Sequence, residues 1–567
     1  MSTFETKTAD NFIFDETADP REQDSLNTPF LRKNIAYVVD QQAGNGTYTS
    51  GEVIIDSQAI SASGNFTDWR NGYIIVPKQT KVEFSTDATS ASGNSITKRN
   101  LLACIKNNTQ IDTLKVEANG KTIITATQGL ADLVNIKMLS TMTQDQLKKD
   151  GAILNFYPED VGQIGNVGTS ANNATKVSAF TAGVLSNGVN KGLIQRQDNW
   201  APLDANATYL DTFMTDTNRK NEGMIFNKAG VFTEGATSAS CTANTYYTLS
   251  DFHYAIVIRL RDLADYFDKH TMSRGVSYRF TIRFNQAVSI ATYTVGSTTP
   301  FTVVPTFATT QTSGSAMPSI LCAGPTNEPV LTLGTASTTA VLVKITDKID
   351  VDDPIISGVR LYVPSYELEP SHQEKLLSTS PIVKRNFMDF LVQTTQTAIS
   401  ANTFFNVQVS TSCTNPRALI IVPRWGQTDQ AIGGYSDISP LSCVPGCTDA
   451  FVSLINLQVK MGSNYVLPDR LFYSYQVFLD HLQSIFATNG AQTGQTSGLI
   501  SKRMFETNHR YYCFDLSRYP EAMTNLPQMI SVEGTSNCAK PLELRCILLY
   551  GREAEFNLAQ GSLTITA

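Results

Sequence analysis

The sequence predicts an all-β protein made of two β-sandwich units in tandem, with few and short helices. Three observations support this class. Charged residues make up 17% of the chain, below the roughly 25% of an average soluble protein, while Ser, Thr, Asn and Gly are abundant. Short strand-like runs recur throughout, and two of them return in the second half. At 567 residues the chain is also too long for a single core.

Two pairs of similar segments indicate that one unit is present twice. YIIVPK at 73–78 returns as LIIVPR at 419–424, an offset of 346 residues. LKVEANGKTI at 114–123 returns as LQVKMGSNYV at 457–466, an offset of 343 residues. Matches in the same order with nearly equal offsets are the signature of an internal repeat.

In each half an apolar helical stretch follows the second of these segments. The first, GLADLVNIKML, places four apolar residues on one helix face: Leu130, Leu133, Val134 and Met138. The second, PDRLFYSYQVFLDHLQSIF, places five on one face and has Pro468 and Asp469 suited to its first turn: Leu471, Tyr475, Phe478, Leu482 and Ile485. Both stripes have the period of an amphipathic helix that packs against a core or a subunit.

The strand-like runs are rich in β-branched and aromatic residues. In the first half they are EVIID, GYIIVP, KVEFS, TLKVE, YAIVIRL and SYRFTIRF. In the second they are FMDFLVQ, FFNVQVS, ALIIVP, LINLQVKM, RYYCFDL and LELRCILLY. Residues 155–245 and 287–335 lack apolar periodicity, so we expect them to form long loops that serve as interaction surfaces.

The segment GVRLYVPSYELEPSHQEKLL, at 358–377, predicts the joint between the two units. Val359, Leu361 and Val363 alternate with polar or aromatic residues, as in a strand packed on one face. Pro364 and Pro370 then interrupt regular structure. Ser371 and Glu374 have the spacing of a capping box, which predicts a helix start before Leu376.

Three ordered segments carry a resemblance to a known family. VRLYVPSYELEP with its helical link, then NPRALIIVPRW, then INLQVKMGSNYV followed by a helix, resembles the major capsid proteins of double jelly-roll double-stranded DNA viruses. The three segments most resemble those of polinton-like viruses and virophages. The resemblance implies two tandem eight-stranded jelly rolls with a few short helices and tower-like loops. It divides the chain into an arm (1–34), a first jelly roll (35–365), a helical linker (366–384) and a second jelly roll (385–567), whose first strand starts near Phe387.

The resemblance also implies a function without catalysis. Family members form pseudo-hexameric homotrimers that tile an icosahedral shell around a double-stranded DNA genome. The expected partners are further copies of the chain, penton proteins and minor or cement proteins, with an internal membrane or the genome beneath the shell. We expect the protein in the virion, made in the host cytosol, because the first residues show no signal-peptide pattern.

Net charge is −7 and the N-terminal segment is acidic, so direct sequence-specific nucleic-acid binding is not expected. The alternative function is a carbohydrate-binding or receptor-binding β-sandwich, which would need exposed aromatic residues along a cleft. The three tryptophans, Trp69, Trp200 and Trp425, lie in distant segments.

No residues are assigned to catalysis, to a cofactor or to a metal. The NGKT motif at 119–122 lacks the first glycine of a phosphate-binding loop, and Asn119-Gly120 instead predicts a two-residue hairpin turn. An acidic cluster lacks EF-hand spacing, so a solvated loop is favoured over a calcium site: Asp347, Asp350, Asp352 and Asp353.

Cysteine and histidine give no further signature. Cys443 and Cys447 have three residues between them and no second ligand pair nearby, and their role stays open. The five histidines have no metal-ligand spacing: His253, His270, His372, His481 and His509. Cys104, Cys513 and Cys546 fall in strand-like runs, where a thiol serves as a small apolar side chain.

Overall fold

The structure is a computed structural model of the chain, and it describes most residues between 30 and 566. The described ranges are 30–41, 48, 51–86, 95–96, 102–105, 108, 110–126, 128–154, 156, 158, 226–227, 247–270, 272–294, 307–313, 317–322, 331–332, 340–349, 358–379, 381–395, 398–425, 452–467, 473–485, 498–507, 509–517, 519, 526–538 and 541–566.

The described residues of the first half form seventeen strands. They are β1 (Phe30–Val39), β2 (Glu52–Asp56), β3 (Phe66–Thr67), β4 (Tyr73–Thr86), β5 (Ser95–Ile96), β6 (Leu102–Ile105), β7 (Ile111–Ala118), β8 (Lys121–Ala126), β9 (Phe226–Asn227), β10 (Tyr247–Arg259), β11 (Tyr278–Phe284), β12 (Ala287–Thr294), β13 (Phe307–Ser313), β14 (Ser319–Cys322), β15 (Leu331–Thr332), β16 (Ala340–Ile349) and β17 (Arg360–Leu368).

In the second half, nine strands lie within the described residues. They are β18 (Ile382–Thr394), β19 (Phe404–Cys413), β20 (Pro416–Trp425), β21 (Leu454–Met461), β22 (Asn464–Tyr465), β23 (Tyr512–Asp515), β24 (Gln528–Ser536), β25 (Leu542–Asn557) and β26 (Ser562–Thr566).

Within the described ranges, eight short helices connect or cover the strands. They are α1 (Gln58–Ser61), α2 (Leu130–Thr141), α3 (Gln144–Leu154), α4 (Leu260–Leu263), α5 (Asp265–Asp268), α6 (Pro370–Thr379), α7 (Tyr475–Ile485) and α8 (Lys502–Thr507). The predicted all-β class with few, short helices is confirmed.

All strand pairs in the described part of the chain are antiparallel, and the two halves pair their strands in the same way. In the first half β1-β17-β4 is continued by β10 on the far side of β4, and a second sheet runs β2-β11-β7-β8. In the second half the orders are β18-β25-β20-β23 and β19-β24-β21-β22. The predicted repeats occupy equivalent strands, because YIIVPK lies in β4 and LIIVPR in β20. The other repeat forms the β7–β8 and β21–β22 hairpins.

The first half carries additional strands. β16 pairs with residues 78–86 of β4, on the same edge that β17 occupies at residues 73–75, and β12 and β13 continue the sheet outward from β16. Two small sheets pair β14 with β6 and β15 with β5. Residues 287–335 were expected to be a long loop, and this expectation is wrong for β12 to β15. The backbone of β12 pairs with β16 over its whole length, from Ala287 to Thr294, so the inserted residues enlarge the sheet.

One apolar core runs through both halves. It includes side chains from the inner faces of the sheets and from α2 and α7, and its members range from Tyr48 to Leu563. Val359, Leu361 and Val363 are fully buried at the end of the first half, as their alternation predicts. A shared core makes the two halves a single packed body.

Four predicted boundaries differ from the structure. β1 begins at Phe30, so residues 30–34 are strand and not arm, and the first strand of the second half begins at Ile382, before Phe387. Helix α6 begins at Pro370 because the Gln373 amide bonds to the Glu369 carbonyl, which makes Glu369 the cap instead of Ser371. Helix α7 begins at Tyr475, and residues 468–472 lie outside the described residues.

Candidate functional site

A buried carboxylate joins the two halves. Asp132 in α2 of the first half is fully buried and forms ion pairs with Arg424 of β20 and Arg545 of β25, both in the second half. Each arginine bonds a different carboxylate oxygen. A carboxylate buried in this way is stable only when charged donors satisfy it. The three side chains therefore act as one electrostatic joint between the halves.

Backbone contacts place α2 against the second half. Gly129, which precedes α2, has φ of 69°, and a side chain there would come within 2.9 Å of Val392 on β18. At the other end of α2, the Leu499 amide donates to the Leu139 carbonyl at 2.8 Å. Glycine therefore allows the close approach of β18 at the start of the helix.

A tyrosine closes the same interface from the second half. The hydroxyls of Tyr511 and Ser140 are hydrogen-bonded at 2.7 Å, and the Ser140 hydroxyl also donates to the Ile136 carbonyl. Burial raises the pKa of Tyr511 well above its usual value. The phenol therefore stays protonated and can act as a donor at every physiological pH.

Aromatic side chains fill the space beneath this joint. The Tyr266 ring of α5 lies 5.1 Å from the ring of Phe387 on β18, and the His270 ring lies 4.8 Å from that of Phe556 on β25. The Tyr278 hydroxyl is 2.6 Å from that of Tyr266 and 2.7 Å from His270 Nε2. Edge-to-face packing of this kind adds stability beyond the buried area.

A second buried ion pair lies inside the first half. Lys78 of β4 and Asp347 of β16 are both fully buried, with Lys78 Nζ 2.5 Å from Asp347 Oδ1. Lys78 also donates to the Asn285 carbonyl at 3.1 Å. The Thr80 hydroxyl donates to the second Asp347 oxygen at 3.1 Å, and Ser319 bonds the same oxygen. The solvated loop predicted for the acidic cluster is therefore wrong for Asp347, because pairing of β16 with β4 buries it; Asp350, Asp352 and Asp353 lie outside the described residues.

Strand β1 exposes an unusual amount of apolar surface. It stands at the edge of its sheet, and Leu31, Ile35 and Tyr37 are 60%, 57% and 60% exposed. Tyr37 continues into a row of tyrosines across the sheet, 5.9 Å from Tyr362 of β17, which stacks at 5.3 Å on Tyr73 of β4. Exposed apolar edge strands are a liability in a monomer and typical of an interaction surface.

The predicted turn lies at a contact between the halves. Asn119 and Gly120 have φ of 47° and 79°, which is the type I′ hairpin turn that the Asn-Gly pair predicts. The Asn119 side-chain amide donates to the Gly561 carbonyl at 2.9 Å, and its oxygen accepts from the Ser277 amide at 2.9 Å. The hairpin turn that the sequence favoured over a phosphate-binding loop is therefore confirmed.

The remaining candidates stay apart. Cys443 and Cys447 lie outside the described residues, while Cys513 and Cys546 are buried free thiols, as predicted. Across the described part of the chain, no three metal-binding side chains cluster, and no helix is long and apolar enough to cross a membrane.

Sequence reasoning missed Asp132 and its two arginines. Arg424 lies 292 residues and Arg545 lies 413 residues after Asp132 in the sequence, so no local pattern identifies the three residues together. One signal was present: both YIIVPK and LIIVPR end in a cation, Lys78 and Arg424, and both cations are buried. A buried cation requires a buried anion.

Comparison with known proteins gives a fold. No family model and no curated protein matches the sequence. Among solved structures, a chain of the Sputnik virophage solved by cryo-electron microscopy aligns with a TM-score of 0.51 and 11% identity, over 97% of this chain and 91% of that one. The mavirus major capsid protein aligns with a TM-score of 0.44 and 10% identity over 97% and 92%. The Faustovirus major capsid protein gives 0.41 and 11% over 96% and 93%.

The chain thus has the fold of a virophage chain over nearly its whole length. The expected likeness to virophage proteins is confirmed at the level of the fold.

Proposed function

We propose that this protein is a viral major capsid protein that acts by self-assembly and has no catalytic activity. The observation that carries the proposal is the fold match over 97% of the chain to a chain of a virophage particle. Two features support it. The ion pairs of Asp132 hold the two halves together, and the exposed apolar side chains of β1 provide a surface for contacts between subunits.

We further propose that the fold is two tandem eight-stranded jelly rolls. The first would consist of β1, β2, β4, β7, β8, β10, β11 and β17, and the second of β18 to β25. The matching pairing orders in the two halves support this arrangement. The domain division then becomes an arm before Phe30, a first unit ending at Leu368, a link containing α6, and a second unit from Ile382 onward.

In the assembled state, three chains form a pseudo-hexameric trimer, since each chain supplies two similar units. Trimers tile an icosahedral shell around a double-stranded DNA genome, in contact with penton and minor capsid proteins, and the protein resides in the virion. Each contact in such a trimer is heterologous, and a threefold rotation closes it.

Light scattering coupled to size exclusion tests the proposal. Three copies of 62.0 kDa give a particle of about 186 kDa, and electron microscopy of concentrated samples should then show hexagonal outlines or shells. A stable monomer under all assembly conditions would contradict the proposal. It would direct attention to the glycan-binding alternative, although Trp69, a residue that could stack on a sugar, is fully buried.

A further inference from the structure

The first strands of the two halves carry the same basic motif. Residues 30–39 read FLRKNIAYVV and residues 382–391 read IVKRNFMDFL, so Arg32-Lys33-Asn34 corresponds to Lys384-Arg385-Asn386 at an offset of 352 residues. The offset agrees with those of the other repeats. β1 and β18 also occupy equivalent edge positions in their sheets.

The motif is neutralised within the chain in only one of the two strands. In β18, Lys384 pairs with Glu553 at 3.4 Å and Glu555 at 3.0 Å, both on β25. In β1, Arg32 has Glu367 of β17 as its cross-strand neighbour, but among the described residues no carboxylate lies within ion-pair distance of Arg32 or Lys33. Lys33 has a ring contact, 5.6 Å from the centre of Tyr366. The β1 motif therefore presents two exposed cations beside exposed apolar residues.

A free strand edge that carries exposed cations and exposed apolar side chains is complementary to an extended segment with acidic and apolar residues. Within the described chain, β1 pairs only with β17, which leaves its outer edge available for another strand. Leu31, Ile35 and Tyr37 offer apolar contacts along that edge. Strand addition to a free edge combines backbone hydrogen bonds with alternating side-chain contacts.

The 29 residues that precede β1 have matching chemistry. They contain seven acidic and two basic residues, and an apolar triplet, Phe12-Ile13-Phe14, is followed directly by Asp15 and Glu16. A segment of this length can reach up to roughly 95 Å from Phe30 when extended. It can therefore reach a neighbouring molecule.

Geometry favours a neighbour over the same chain. A short hairpin onto its own β1 would place residues 18–26 beside the strand, with Pro20 opposite Tyr37. Proline lacks the amide donor that pairing requires. The apolar triplet would then lie beyond Val39, past the exposed residues that it could cover.

We propose that the acidic segment 10–24 of one copy docks on the outer edge of β1 in a second copy. Phe12 and Phe14 cover Ile35 and Tyr37, and Asp15 and Glu16 neutralise Arg32 and Lys33. This inference rests on the proposed self-assembly, and it identifies which surface receives the segment of the neighbouring chain.

Carbodiimide crosslinking in a mixed oligomer tests the proposal. Two differently tagged full-length chains are co-expressed and purified through both tags. The first carries Lys33→Arg, which keeps the charge but removes the reactive amine. The second keeps Lys33 but has amides in place of the six acidic residues of the segment: Asp10, Asp15, Glu16, Asp19, Glu22 and Asp24.

In this mixture, any bond between Lys33 and the acidic segment must join two chains. We expect mass spectrometry to find it, with Asp15 or Glu16 as the main site. Arg32→Gln in the second chain should lower its yield about threefold. Lys384→Gln, the matched change in β18, should leave the yield unchanged, because Lys384 is exposed and lies on the other unit.

Three results would overturn the proposal. One is a crosslink in the unmodified protein that is absent from the mixed oligomer, which would mean docking within one chain. Another is crosslinking of the segment only to other lysines. The third is an equal loss of yield with Lys384→Gln. A 186 kDa trimer without the crosslink would refute this docking and leave the capsid function standing, whereas a persistent monomer would refute the capsid function itself.

Discussion

Replacing Asp132 by alanine tests whether the two halves depend on their electrostatic joint. The carboxylate is fully buried, Arg424 is 8% exposed and Arg545 is 23% exposed. Removing one partner of a buried ion pair costs about 3–5 kcal/mol, because the remaining charge stays buried without compensation. Since Arg545 can reach some solvent, we expect a loss near the lower end, about 3 kcal/mol.

The assay is urea unfolding of the full-length chain, followed by circular dichroism and by intrinsic fluorescence. We expect Asp132→Ala to lower the midpoint and to separate the two signals, because the halves then unfold less cooperatively. Asp145→Ala, an exposed acidic residue in the first turn of α3, is the matched control. It should cost no more than about 1 kcal/mol.

A triple variant separates charge from packing. In Asp132→Leu with Arg424→Met and Arg545→Met, no buried charge is left unpaired, so most of the lost stability should return. A triple variant as unstable as Asp132→Ala would show that the shape of the joint matters more than its charges. An Asp132→Ala protein within about 1 kcal/mol of the native one would refute the joint altogether.

Three further predictions follow from buried groups. Lys78→Met should cost about 3–5 kcal/mol in urea unfolding, and adding Asp347→Leu should recover most of it. Gly498→Ala should lower the melting temperature by more than Gly120→Ala. A Cβ at position 498 would collide with backbone carbonyls of α2, whereas a Cβ at position 120 meets no neighbour and adds only the strain of a positive φ, about 1 kcal/mol. Equal shifts of the melting temperature in the two variants would contradict this prediction. Burial raises the pKa of Cys546 to about 12, so its thiolate fraction at pH 8 should be about 1000-fold lower than that of an ordinary thiol. Mass spectrometry after alkylation of the native protein should therefore find this residue unmodified, and rapid alkylation would contradict the prediction.

Much of the fold could be read from local sequence. The runs YIIVPK and LIIVPR lie in β4 and β20, and Asn119-Gly120 forms the expected turn, because strand period and turn chemistry depend on neighbouring residues. Leu361 is fully buried where alternation placed it. These features need no knowledge of distant partners.

The misses have a common cause, which is long-range pairing. Asp347 looked like part of a solvated acidic loop, but its strand pairs with β4, where Thr80 lies directly opposite it. Asp132 looked like an ordinary polar position in an amphipathic helix, yet its partners come from two strands of the other half. The basic motif shared by β1 and β18 is present in the sequence, but a repeat search based on apolar residues does not detect it, because the matching residues are cations.

The duplicated cation at the end of YIIVPK and LIIVPR explains how two similar units became one body. In the first unit Lys78 binds Asp347 of its own half. In the second, Arg424 binds Asp132 of the other half, and arginine suits that place because its planar fork can share a carboxylate with Arg545. The same buried position thus stabilises the first half from within and joins the two halves in the second. The cations of β1 and β18 differ in the opposite sense. In the second copy, Lys384 forms ion pairs within its own sheet. In the first copy, Arg32 and Lys33 face outward, where the proposed neighbouring chain supplies the opposite charge.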